Sequence, residues 1–146
     1  TIDIIILQDT LHHLEPIHHA LRIFQTCLKS QGIMICIEEN GENIIQTAKL
    51  YKQRGNNRVI TFWDEKLQKE ITMGNENIRG IKDWDSLLQQ NHLTIQEEKT
   101  EYVRILPPFF YKNKTARTVA EHENKLKLPL LTKYFFFGIN FVATKD

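Results

Sequence analysis

The apolar positions of this chain fall into blocks with different periods. Ile4-Ile5-Ile6-Leu7 is an unbroken apolar run, and Ile33-Met34-Ile35-Cys36-Ile37 is another. Short runs without polar alternation predict strands buried on both faces, as in the interior of a parallel sheet. Between them Ile17, Ala20, Leu21, Phe24, Cys27 and Leu28 recur at helical spacing and form one apolar face. Pro16 suits the first turn of that helix, where a missing N–H costs nothing, and Gly32 suits a left-handed stop after it. Strand, helix and strand in this order predict a right-handed crossover.

The middle of the chain is less regular. Ile44, Thr47, Ala48 and Tyr51 predict a helix that Arg54-Gly55-Asn56-Asn57 breaks. Trp63, Leu67 and Ile71, spaced by four, predict a short helix over 64–71, and 73–81 reads as a loop. Asp83 is placed to cap a helix carrying Trp84, Leu87 and Leu88. Residues 92–106 have strand character up to Pro107-Pro108, which stops it. Residues 115–126 read as a polar helical or mobile segment. The aromatic and β-branched stretch 133–144 predicts a last strand, returning antiparallel beside its predecessor. Alternating strands and helices predict an α/β sheet with helices on its faces. The chain reads as one domain, 1–146, with 44–82 as a variable insert.

Composition narrows the classes of function. Hydrophobic residues make up 41% and charged residues 25%, which supports a packed core and argues against disorder. A net charge of +1 gives no field to hold a polyphosphate, so no nucleic-acid partner is expected, and Lys125 and Lys127 read as solvated surface. No apolar run approaches the ~20 residues of a membrane span. Cys27 and Cys36 form no CxxC pair and no disulfide framework. They read as small buried hydrophobes of a cytoplasmic protein. The chain opens with Thr1-Ile2-Asp3 directly before a strand, so it is expected to begin partway through a larger domain.

Asp3-Ile4-Ile5-Ile6-Leu7-Gln8-Asp9-Thr10-Leu11-His12-His13-Leu14-Glu15-Pro16, with Leu28-Lys29 and Gln31-Gly32-Ile33-Met34-Ile35 after it, resembles the fourth-strand region of class I methyltransferases. The match runs without a gap over 3–39. Asp83-Trp84-Asp85-Ser86-Leu87-Leu88 with Leu93-Thr94-Ile95, and the stretch from Tyr134 to Val142, resemble the later elements of the same family more loosely. The resemblance implies a partial Rossmann-like methyltransferase sheet, mostly parallel with an antiparallel last strand. It also implies S-adenosylmethionine as cofactor. That family holds its cofactor with a glycine-rich turn and an acidic residue after its first two strands. The six glycines here contain no G-x-G, so both elements are expected upstream of Thr1, and this chain alone is expected to be incomplete and inactive.

In doubly wound sheets, ligands sit beyond the carboxyl ends of the strands. Gln8, Asp9, Thr10, His12 and His13 follow the first strand here, and Glu38, Glu39 and Asn40 follow the second. The resemblance implies that Gln8, Asp9, Thr10 and Leu11 border the cofactor and that one histidine faces the methyl-transfer region. His12 or His13 could serve as a base where the acceptor is a hydroxyl or a protonated amine. Glu38, Glu39, Asn40, Glu76, Asn77 and Arg79 are candidate substrate contacts. Against them stand plainer readings, a solvated strand end and a hydrogen-bonded loop. His12 and His13 are expected to point in different directions, with Pro16 and the helix separating them from His18 and His19. No HExxH spacing is present, so no metal site is expected. The expected function is methyl transfer to a small-molecule acceptor, as the C-terminal portion of a longer enzyme. The alternative is a non-catalytic remnant serving as an interaction module. A homodimer through an exposed sheet edge is the expected association.

Overall fold

Strand β1 (Ile2–Gln8), helix α1 (Ile17–Cys27) and strand β2 (Leu28–Glu39) follow the predicted order in the computed structural model, which describes residues 1–111, 115–126 and 128–146. β1 and β2 pair in parallel, with Ile5 opposite Met34 and Leu7 opposite Cys36. Pro16 sits at the cap position just before α1. The helix passes directly into β2. The left-handed residue there is Gln31, at φ 62, rather than Gly32. Gly32 is instead set by close approach, since an added Cβ would lie 2.9 Å from the Lys29 carbonyl oxygen.

Helix α2 (Ile44–Arg54) is capped by Asn43, whose Oδ1 accepts from the Gln46 N–H at 2.8 Å. Where spacing suggested a helix over 64–71, the chain forms a hairpin of β3 (Val59–Asp64) and β4 (Lys69–Gly74). The β-branched and aromatic residues Val59, Ile60, Thr61, Phe62 and Trp63 favour the pleated surface. Asp64 turns the chain by accepting the N–H groups of Lys66 and Leu67. Helix α3 (Ile81–Gln89) starts after Gly80, which places Asp83 in its first turn and not at its cap.

The strand expected over 92–106 is split into β5 (Leu93–Ile95) and β6 (Glu101–Val103) by a 3-10 turn. Helices α4 (Thr115–Glu123) and α5 (Pro129–Phe135) precede β7 (Gly138–Lys145). Tyr134 and Phe135, expected in the last strand, end α5 instead. Lys125 is exposed, and Lys127 lies outside the described residues.

The main sheet has the order β1-β2-β7-β5, with β6 also on β7. Only β1 and β2 pair in parallel; β2, β5 and β6 each pair antiparallel with β7. The expectation of mostly parallel pairing is therefore corrected. β7 runs against all its neighbours and sits between them instead of closing an edge, so every pairing it makes is antiparallel. β1, β2, β5 and β6 consequently run the same way. The fold is mixed α/β.

The core lies on one face of this sheet. Leu7, Met34, Cys36, Phe141 and Ala143 meet Leu21 of α1 and Trp84 and Leu88 of α3 there. The opposite face near β1 is open, with Ile4 50% and Ile6 65% exposed, beside half-buried Ile33 and Ile35. β1 is thus an edge strand with one face exposed, not a strand buried on both faces. Cys36 is buried and Cys27 half-buried, both as free thiols. Among the described residues no helix is long and apolar enough to cross a membrane.

Candidate functional site

The parallel pairing of β1 and β2 carries both chain exits to the same end of the sheet. Asp9 extends the ladder by one bond, its N–H donating to the Ile37 carbonyl at 2.8 Å, and then turns the chain with φ 46. Leu11–His13 form a 3-10 turn. Glu38, the penultimate residue of β2, organises that turn. Its Oε1 accepts the N–H groups of Thr10 at 3.0 Å and Leu11 at 2.7 Å, and its Oε2 accepts from His12 Nδ1 at 2.6 Å. Glu38 is 0% exposed and His12 3% exposed.

A carboxylate accepts only, so the Nδ1 of His12 carries the proton and Nε2 is left with the free lone pair. Burial works against the charged imidazole, but the bond to Glu38 and the nearby Glu39 and Glu76 outweigh it. The His12 pKa is raised above its ordinary value.

The β3–β4 hairpin closes over this turn. Leu14 bridges to Met73, the Asn77 N–H donates to the His12 carbonyl at 3.2 Å, and the Gly74 carbonyl accepts from His13 Nδ1 at 3.2 Å. Gly74 makes the approach sterically feasible, since a Cβ there would lie 2.0 Å from the His12 carbonyl oxygen. His12 and His13 do not diverge as expected. Their ring centroids are 4.1 Å apart, and each Nε2 lies 3.8 Å from one carboxylate oxygen of Glu76. The β3–β4 hairpin, where residue spacing predicts a helix, is what brings Glu76 to them.

Asn77 and Arg79 have a different task. Both donate to Glu15 Oε1 at 2.7 Å, while Glu15 Oε2 caps α1 through the Ile17 N–H. The Arg79 guanidinium also lies over the Trp84 ring at 4.9 Å. These contacts clamp the loop to the core. Burial pushes the Glu15 carboxyl up, but Arg79, the Ile17 N–H and Asn77 outweigh it, and its pKa is lowered. A depressed carboxyl pKa adds stability above the unfolded value, and that contribution fades as pH falls through the folded value. A Glu15→Gln variant should therefore trail the wild type in Tm near neutrality, with the gap closing below about pH 4, near the ordinary carboxyl pKa. Thermal melts across pH check this. Arg79→Lys keeps the charge but loses the planar donor set and the ring stacking, and is expected to cost about 1 kcal/mol in denaturant unfolding.

Asn40 is 0% exposed and donates to the carbonyls of Lys133 and Phe136, so it ties β2 to α5. Glu39 accepts from Gln46 of α2. Leu11 belongs to the core at 0% exposure and presents no surface to a ligand. Gln8 and Asp9 are exposed, and Thr10 is half-buried with its hydroxyl donating to the Gln8 carbonyl. These side chains form one open border. By themselves they do not enclose a group the size of S-adenosylmethionine. A cavity of about 200 Å³ opens nearby, lined by Tyr51, Arg54, Arg58, Ile78, Arg79 and Asp83 among others. Arg54 ties it to the histidine cluster by donating to the Glu76 carbonyl at 3.0 Å.

The sequence matches no protein-family model and no curated protein. Solved structures do match, over nearly the whole chain. A SAM-dependent methyltransferase from Methanosarcina mazei aligns at TM-score 0.53 and 14% identity, covering 98% of this chain and 58% of its own. One from Archaeoglobus fulgidus aligns at TM-score 0.51 and 11% identity, covering 99% and 59%. The O-methyltransferase from the trans-AT PKS multienzyme of Brevibacillus brevis, in complex with S-adenosyl-L-homocysteine, aligns at TM-score 0.50 and 13% identity, covering 99% and 44%. The chain has the class I methyltransferase fold, and it spans about three fifths or less of these proteins' length.

Proposed function

We propose that this chain serves S-adenosylmethionine-dependent methyl transfer to a small-molecule acceptor, as the C-terminal portion of a longer enzyme. The observation that carries the reading is the buried Glu38–His12 pair at the end of β1 and β2, in a chain that shares the methyltransferase fold along its whole length. When bound, S-adenosylmethionine supplies an electrophilic methyl group. Gln8, Asp9 and Thr10 border it on one side. His12, fixed through Nδ1, takes the acceptor's proton at Nε2, and His13 lines the approach. The acceptor occupies the space between Glu76 and the arginine-lined cavity, under the cover of residues 44–82. Positioning supplies much of the catalysis, because methyl transfer from a sulfonium needs in-line geometry.

The test uses the intact polypeptide that contains this chain. Methyl transfer to an acceptor panel is expected, with His12→Asn lowering kcat at least about 100-fold, the lower range for a general base. No cofactor binding and no transfer over a broad panel would reject the reading.

A second reading is favoured by the open isoleucine face of β1, which makes the chain an association module, with a homodimer as its simplest form. An Ile4→Lys, Ile6→Lys variant is expected to change stability by less than about 0.5 kcal/mol per site, as for exposed positions. It should also convert a dimer to monomers in light-scattering chromatography. A monomeric wild-type chain would remove the homodimer.

A further inference from the structure

We infer that His12, His13 and Glu76 form a binding site for one divalent transition-metal ion of the zinc class. The inference is independent of the methyl-transfer reading and rests on the direction of lone pairs. His12 Nδ1 is committed as donor to Glu38, and His13 Nδ1 as donor to the Gly74 carbonyl. Both Nε2 atoms therefore carry their lone pairs toward the Glu76 carboxylate, one to each of its oxygens at 3.8 Å. Three electron-pair donors converge, each within 4.8 Å of the others. A cation at the centre resolves that repulsion.

The set also has the order of a built site. Metal-ligating histidines characteristically donate their other ring nitrogen to a carboxylate or a backbone carbonyl, which fixes tautomer and ring direction. Here one histidine has each kind of partner. His12 is buried and hydrogen-bonded to Glu38, whereas Glu76 is a half-buried loop residue at φ 51. Zinc bonds of about 2.0–2.1 Å place tetrahedral ligands roughly 3.4 Å apart. Closing to that spacing from separations of 3.8 Å and up to 4.8 Å calls for movement of both half-buried ligands, Glu76 and His13, toward His12. Two histidines and one carboxylate leave a fourth position open, as in catalytic and not structural zinc sites. Sequence spacing could not reveal the set. The two histidines are adjacent in a 3-10 turn and the carboxylate arrives 63 residues later on a hairpin.

The ion would engage the same Nε2 that base catalysis uses, so zinc is expected to suppress any methyl transfer that depends on His12 as a proton acceptor. The binding test needs no activity. Metal-stripped protein is titrated with Zn²⁺ by calorimetry and with Co²⁺ by visible absorption. One ion per chain is expected, with the strong d–d bands of tetrahedral cobalt. His13→Ala and Glu76→Gln, both at accessible side chains, should each weaken zinc at least about 10-fold. Glu38→Gln should weaken it by about 10–100-fold through the outer shell, while His19→Ala changes nothing. Circular dichroism establishes that each variant is folded. Absence of stoichiometric binding by the wild type would overturn the assignment. So would a His13→Ala, Glu76→Gln double variant that retains wild-type affinity.

Discussion

Glu38→Ala is expected to destabilise the protein by about 3–5 kcal/mol, the range seen when a buried, hydrogen-bonded charge is stripped from its partners. The carboxylate is fully buried and serves three donors at once, two backbone N–H groups and the His12 ring. Alanine would leave all three without this partner. Glu38→Gln separates the roles. Its Oε1 can still accept from Thr10 and Leu11, but its amide nitrogen would face His12 Nδ1 as donor to donor. The ring then favours the other tautomer. Chemical denaturation should rank wild type, glutamine and alanine in that order. Equal stability of alanine and wild type would show that the turn is held elsewhere.

Gly74→Ala is the second large effect. A methyl group 2.0 Å from the His12 carbonyl oxygen cannot be accommodated, and the clash is with backbone, which does not swing aside as a side chain would. The cost is expected near 3 kcal/mol, the upper end for overpacking. Its particular mark is the lifting of the β3–β4 hairpin from the turn at Leu11–His13. The Asn77 N–H, bonded to the His12 carbonyl, should lose hydrogen-exchange protection, and so should its neighbours. The core strands β2 and β7, far more extensively paired, should keep theirs. Unchanged protection at Asn77 would contradict the docking described for the hairpin.

The first forty residues were legible because each signal there is local. Periodicity marks α1, unbroken apolar runs mark β1 and β2, and the order of the elements restricts their topology. The same runs misled on burial. Ile4 and Ile6 read identically whether their outer face is covered or open, because an apolar run records affinity for a cover and not its presence. The hairpin was hidden by a coincidence of spacing, since Trp63, Leu67 and Ile71 satisfy a helical period while the β-branched residues around them and Asp64 decide the strands. The position of β7 between β2 and β5 is a long-range fact that no window of sequence contains.

At the site, the sequence draws attention to residues adjacent to strand ends, but their hydrogen-bond partners are not readable from it. Glu38 and Asn40 are substrate candidates set against a solvated strand end, and Asn77 and Arg79 are substrate candidates set against a hydrogen-bonded loop. In the fold all four hold hydrogen bonds to neighbouring segments, and Arg79 also lines the cavity. The doublet Gly74-Asn75 was the one available signal for the hairpin's approach to His12.

The Glu38–His12 pair is proposed to belong to a methyl-transfer site. The most direct test is equilibrium dialysis of labelled S-adenosylmethionine against the intact polypeptide, followed by transfer of label to an acceptor, for wild type and His12→Asn. Saturable binding by both proteins and transfer by the wild type alone are expected. Transfer at the same rate by His12→Asn, or no binding by either, would contradict that assignment.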